Sequence, residues 1–147
     1  MFKHVLLPTD GSPIARKAIK AGIALAKTLG ARVTAYHAID AIPLYSYSDG
    51  YLLSGALLTE FDKRAREQGD KYLAEVEKAA KAARVPCGRL MSKPATAYEG
   101  IVAAAKKQRC DAIFMASHGR GELGALLLGS VTQKVLAHTK LPVLVYR

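Results

Sequence analysis

Only two cysteines, Cys87 and Cys110, occur in the 147 residues, and no Cys-x-x-Cys or metal-ligand spacing accompanies them. A disulfide framework and a zinc module are therefore not expected; two reduced, mostly buried thiols are, with a bridge or redox role as the alternative. Long apolar runs are equally absent. No stretch approaches the ~20 apolar residues of a membrane helix. The first run, Val5-Leu6-Leu7, stops at Pro8 and Asp10, far short of the apolar region of a signal peptide. Reduced thiols without an export signal or membrane span imply the cytosol, with no membrane partner.

Acidic residues are also few, 12 against 22 Lys and Arg, giving a net charge of +10. Such an excess raises nucleic acid, anionic lipid or a phosphate-bearing ligand as partners. The basic residues are spread along the chain rather than gathered in an arm, and no aromatic-basic platform is visible. That pattern fits solubility and steering better than a nucleic-acid footprint, so no sequence-specific nucleic-acid binding is expected.

What the chain does have is apolar content, 50% of its residues, and a length that can bury a core unaided. One domain over residues 1–147 is the expectation. Five short apolar runs read as strands: His4 to Leu7, closed by Pro8; Val33 to Ile39; Val85 to Met91; Ala112 to Ala116; and Val143 to Tyr146. Helical patterns separate them. Ser12-Pro13 supplies a cap and a first-turn proline to a helix that Gly30 ends, and 59–84 carries the stripe Phe61, Ala65, Tyr72, Val76, Ala79 and Ala83. On its outer face acids precede bases by four residues, as in Glu60/Arg64 and Asp62/Arg66, the pattern of a solvated helix face. Ala95 to Gln108 and Ser130 to His138 supply two more helices.

Short apolar strands alternating with helices predict an α/β fold, an open five-stranded parallel sheet with helices on both faces, Rossmann-like in its winding. The link from Ala41 to Leu58 is longer than such connections normally are and carries Tyr45, Tyr47 and Tyr51, which suit covering a sheet edge or a partner subunit, or stacking on a base.

In open parallel sheets ligands bind beyond the carboxyl ends of the strands, where strand order reverses. The first strand runs into Pro8-Thr9-Asp10-Gly11-Ser12. The fourth runs into Ala116-Ser117-His118-Gly119-Arg120-Gly121, and Gly129-Ser130-Val131-Thr132 opens the last helix. Glycines beside a helix N-terminus let a phosphate approach the backbone, where first-turn amides and the positive end of the helix dipole favour an anion. Neither a Walker loop nor a dinucleotide fingerprint is present, since no Gly-Lys-Ser/Thr follows and the glycines precede the helix by a long insertion.

The spacing Ala116-x2-Gly119-x9-Gly129-Ser130 resembles the G-x2-G-x9-G-[ST] adenine-nucleotide motif of the universal stress protein family. Pro8-Thr9-Asp10-Gly11-Ser12, His37-Ala38-Ile39-Asp40 and Lys140-Leu141-Pro142-Val143-Leu144-Val145 are similar to that family's other recurring segments, so the likeness covers essentially the whole chain. The resemblance implies an adenine nucleotide alpha hydrolase-like fold. It implies that Pro8, Thr9 and Asp10 meet the nucleoside part of ATP and that Ala38 lies against the adenine through its backbone. It further implies that Gly119, Gly129 and Ser130, with the amides of Val131 and Thr132, hold the phosphates, and that Ala116, Ser117, His118 and Arg120 belong to the same nucleotide site. Mg or Mn would be held only through those phosphates. A homodimer through the last strand and a stress-response role follow from the same likeness.

Ala116 departs from the pattern, standing where the family has its first motif glycine; the methyl is harmless if φ is negative and crowds the ribose if φ is positive. Plainer roles stand beside these. Asp10 and Ser12 also suit a turn and a helix cap, His118 suits a polar loop surface, and Arg120 suits either a γ-phosphate or solvent. Three functions follow: a nucleotide-binding regulatory homodimer, an interaction module on the same scaffold without nucleotide, and a very slow ATPase. No Walker lysine, kinase-like loop or paired carboxylates accompany the motif, so at most slow hydrolysis is expected.

Overall fold

The computed structural model describes residues 1–41, 55–120 and 128–147. Its elements are β1 (His4–Pro8), α1 (Pro13–Leu29), β2 (Arg32–Ala38), α2 (Gly55–Ala83), β3 (Cys87–Ser92), α3 (Ala97–Lys107), β4 (Ala112–Ala116), α4 (Ser130–His138) and β5 (Val143–Tyr146). All strand pairs are parallel, in the order β3-β2-β1-β4-β5. The chain winds from β1 outward to β3, then returns to place β4 on the other side of β1. Strand order thus reverses between β1 and β4.

Alternation along the strands divides the core. Val5, Leu7, Val33, Ala35 and Phe114 face α1 and α2, where they meet Ile19, Ile23, Leu73 and Val76. Leu6, Tyr36, Ile113 and Met115 face the other way, onto Ile101, Ala104 and Val135 of α3 and α4. Each fully buried side chain such as Leu6 or Ile113 contributes roughly 1.5–3 kcal/mol of apolar transfer. Buried on both faces, β1 and β4 read as continuous apolar runs, which is why their positions were legible from sequence.

Local signals act where the sequence placed them. Ser12 caps α1, its Oγ accepting from the amide of Ala15 at 3.2 Å, and Gly30 ends the helix in the left-handed region at φ 62°. Helix α2 departs from expectation in two ways. It begins at Gly55, and its buried positions are Gly69, Leu73, Val76 and Ala80, whereas Phe61 is 39% exposed. Its outer face is also more than a solvated surface. Besides the internal pairs Arg64–Glu60 and Arg66–Asp62, Glu75 pairs with Arg16 of α1, Asp70 and Glu77 with Arg89 of β3, and Asp62 with Lys93.

Cys87 and Cys110 are free thiols, and burial pushes Cys110 up to about 11. No described helix is long and apolar enough to cross a membrane. The three tyrosines of the long link, with Gly121 and Gly124, lie outside the described residues.

Candidate functional site

Where strand order reverses, the carboxyl ends of β1, β2 and β4 and the N-terminus of α4 enclose a cavity of about 480 Å³, within the range of small-ligand sites. Twelve of the thirteen residues singled out from the sequence line it. Pro8, Thr9 and Asp10 come from the end of β1, Ala38 from β2, Ala116, His118, Gly119 and Arg120 from the end of β4, and Gly129, Ser130, Val131 and Thr132 from the start of α4. Ser117 does not. It is buried, and its amide donates to Tyr146 O at 2.7 Å while its carbonyl accepts from Gly129 N at 2.7 Å.

The helix N-termini that follow β1 and β4 differ. That of α1 carries a side-chain cap from Ser12; that of α4 follows Gly129, which brings no side chain to its first-turn amides. A second bond fixes α4 from below, Thr132 Oγ1 donating to Ala116 O at 3.0 Å. The first turn of α4 is therefore anchored to β4 through buried groups while its amides face the cavity side, a geometry suited to an anion.

Asp10 organises the opposite wall. Its Oδ1 accepts from the amide of Ser12 at 2.9 Å, closing a tight turn, and its Oδ2 accepts from the amide of Arg120 at 3.2 Å. The Arg120 side chain returns the contact, Nε and Nη2 both donating to Asp10 O, with Nε at 2.7 Å. Arg120 is thus tied across the cavity mouth rather than freely solvated. Gly119 permits this closeness, because a Cβ there would lie 2.8 Å from Asp10 Oδ2.

Ala116 sits in β-strand conformation without a positive φ, so its backbone makes no demand for glycine. His118 shares a 3.0 Å hydrogen bond between Nδ1 and Ser117 Oγ. His37, at the end of β2, donates from Nδ1 to Thr9 O at 2.8 Å and so holds the β1 end from below. Among the described residues no group of three or more His, Cys, Asp or Glu is placed to hold a metal.

Seven further lining residues were not singled out from sequence. Tyr36, Ala97, Ile101 and Met115 form an apolar side, and Ala15, His37 and Asp40 complete the rim. Burial raises the pKa of the Tyr36 hydroxyl, partly offset by its 2.8 Å bond with Ser92 Oγ. The signal for this group lay in the fold. A right-handed crossover lays α3 over the β1 and β2 ends, and only that placement brings Ala97 and Ile101 to the cavity.

The universal stress protein family model matches residues 1–147. A universal stress protein encoded beside a QAH/OAS sulfhydrylase in Thermus aquaticus is 36% identical over 147 residues, covering 100% of both chains. The solved structure of protein MJ0577, a universal stress protein of Methanocaldococcus jannaschii, superposes with a TM-score of 0.83 at 28% identity, covering 99% of this chain and 95% of that one. A universal stress protein solved in complex with cAMP shares the fold, with a TM-score of 0.70 at 22% identity over 99% of this chain and 97% of its own.

Proposed function

The chain belongs to the universal stress protein family, and from that premise we propose that it is a cytoplasmic, ATP-binding regulatory protein of the stress response that acts as a homodimer. The observation that carries the reading is the α4 N-terminus, which lacks a side-chain cap and faces a cavity of nucleotide size at the point of strand reversal. Gly119, Gly129, Ser130, Val131 and Thr132 are the residues that would hold the phosphates. The apolar side formed by Ile101, Met115 and Ala38 suits a base. Asp10 would meet the nucleoside. A divalent cation, Mg or Mn, would enter with the phosphates. Among relatives of the same fold, the one solved with cAMP supports an adenine nucleotide as the ligand class.

The non-binding interaction module drew its one sequence hint from Ala116, and the negative φ there removes that hint. Mass spectrometry of the small molecule released on denaturing the purified protein tests the nucleotide reading directly. Calorimetry with ATP tests the residues: Gly129→Val abolishes binding by blocking backbone approach, and Asp10→Ala weakens it without unfolding the chain. Binding by both variants at the wild-type level would refute the site.

A further inference from the structure

We propose that Tyr72 of α2 is a positioning residue of this site, holding the β1–α1 turn at Gly11 and the segment after β4 at Arg120 in the register that an adenine nucleotide requires; the inference rests on the nucleotide reading above. The ring supports both at once. Gly11, directly after Asp10, lies against it so closely that a Cβ would clash with the ring carbons, and Gly11 takes a left-handed φ of 74°. The Arg120 guanidinium carbon stacks over the same ring at 5.0 Å from its centroid, within cation–π range.

Tyr72 is itself held in place. Its ring meets His37 edge-on at 5.3 Å and 70°, and His37 is bonded to Thr9 O. One helical turn earlier Gly69 allows α2 to press onto the sheet, since a Cβ there would lie 2.6 Å from His37 Cδ2. The ring is therefore backed by the strand end it supports. Removing it takes the floor from Gly11 and the stacking partner from Arg120 together, and these are the residues flanking Asp10 on either side of the cavity mouth.

Charge adds a reason for the ring to be aromatic. The Arg120 guanidinium bonds a neutral carbonyl and a π-face, and among the described residues no carboxylate oxygen pairs with it. A π-face attracts the cation without bringing a counter-charge of its own to the rim.

The test uses the full chain as wild type, Tyr72→Phe, Tyr72→Leu, Arg120→Ala and the Tyr72→Leu/Arg120→Ala double variant. ATP affinity is read by calorimetry, and exchange of the Ser12 and Arg120 amides is read without ligand. Tyr72→Leu weakens ATP by roughly 3- to 30-fold, the range of a cation–π contact, while Tyr72→Phe restores binding to within about twofold because the ring remains. The double variant loses less than the product of the single losses, since the two side chains act through one contact. In Tyr72→Leu the Ser12 and Arg120 amides exchange faster, and in Tyr72→Phe they do not. Unchanged exchange at both amides in Tyr72→Leu overturns the proposal, as do independent, multiplicative losses in affinity. Failure of the wild type to bind ATP would remove the nucleotide reading, and the exchange comparison would still decide whether Tyr72 positions the two segments.

Discussion

The hydroxyl of Thr132 donates to the carbonyl of Ala116 across 3.0 Å, joining the first turn of α4 to the last residue of β4 through buried groups. Thr132 is 2% exposed, so the bond joins largely desolvated groups. Thr132→Val keeps the shape and leaves the Ala116 carbonyl without its hydroxyl donor, at a cost of about 1–3 kcal/mol. Urea unfolding monitored by circular dichroism should show that loss with an unchanged m-value. Thr132→Ser, which restores the hydroxyl, should recover most of it.

A second prediction concerns acid. His4 is 6% exposed, bonds Thr34 through Nε2 at 2.8 Å, and its Nδ1 is buried without a hydrogen bond. Burial first, and the positive charge of Arg32 second, lower its pKa below the ordinary 6.5, against a smaller opposing pull from Asp111. The unfolded chain therefore takes up this proton at a higher pH than the folded one. The stability so conferred is complete above 6.5 and is lost as pH falls from 6.5 through the lowered value. Unfolding free energy measured between pH 7.5 and pH 5 should fall for wild type and fall less steeply for His4→Gln. Parallel curves would show that His4 is not the group responsible.

Much of this architecture was legible because its signals are local. Ser12 and Gly30 bound α1 through their own side chain and φ, and the runs Ala112–Ala116 and Val143–Tyr146 are strands end to end. The expected stripe of α2 holds at Val76, with Ala79 and Ala83 against the core, and fails at Phe61, because apolar residues occur on adjoining faces. The choice between Phe61 and Leu73 is made by the tertiary approach of Gly69 to His37 and Met91, which no helical period encodes. In the site, the Gly119 and Gly129 spacing was legible as motif. Tyr72 was not, since it read only as an apolar stripe residue and its contacts with Gly11 and Arg120 join elements far apart in sequence.

Dimerisation through β5 gives a third prediction. In the described residues β5 pairs on one side, with β4, and forms a sheet edge on the other. Ile113 N donates to Pro142 O and Ser117 N to Tyr146 O, so by the two-residue period of a strand Leu144 also faces β4 while Val143 and Val145 turn their amides outward. Val145→Pro therefore removes an amide from the free edge and spares the ladder to β4. Sedimentation at micromolar concentration should show a wild-type dimer and a folded, monomeric Val145→Pro. A dimer that survives the substitution would move the interface elsewhere.

The last prediction is that bound ATP is kept far longer than it is hydrolysed. Rapid phosphoryl transfer needs a positioned nucleophile and charge stabilisation around the γ-phosphate, with metal ions bridging the phosphates. The three groups that the β1 and β4 ends bring to the cradle are already engaged. Asp10 accepts backbone amides on both carboxylate oxygens, which commits it to holding the loops. Arg120 is turned onto Asp10 O and the Tyr72 ring. His118 bonds a serine hydroxyl, which fixes a tautomer less firmly than a carboxylate would. Binding without a matching transition-state site gives a sensor rather than a turnover enzyme. Purified protein with ATP and Mg²⁺ or Mn²⁺ should release phosphate well below the ~1 s⁻¹ floor of ordinary enzymes. Turnover at or above that rate, abolished by His118→Ala while ATP affinity is retained, would instead make His118 a catalytic base and the protein an enzyme.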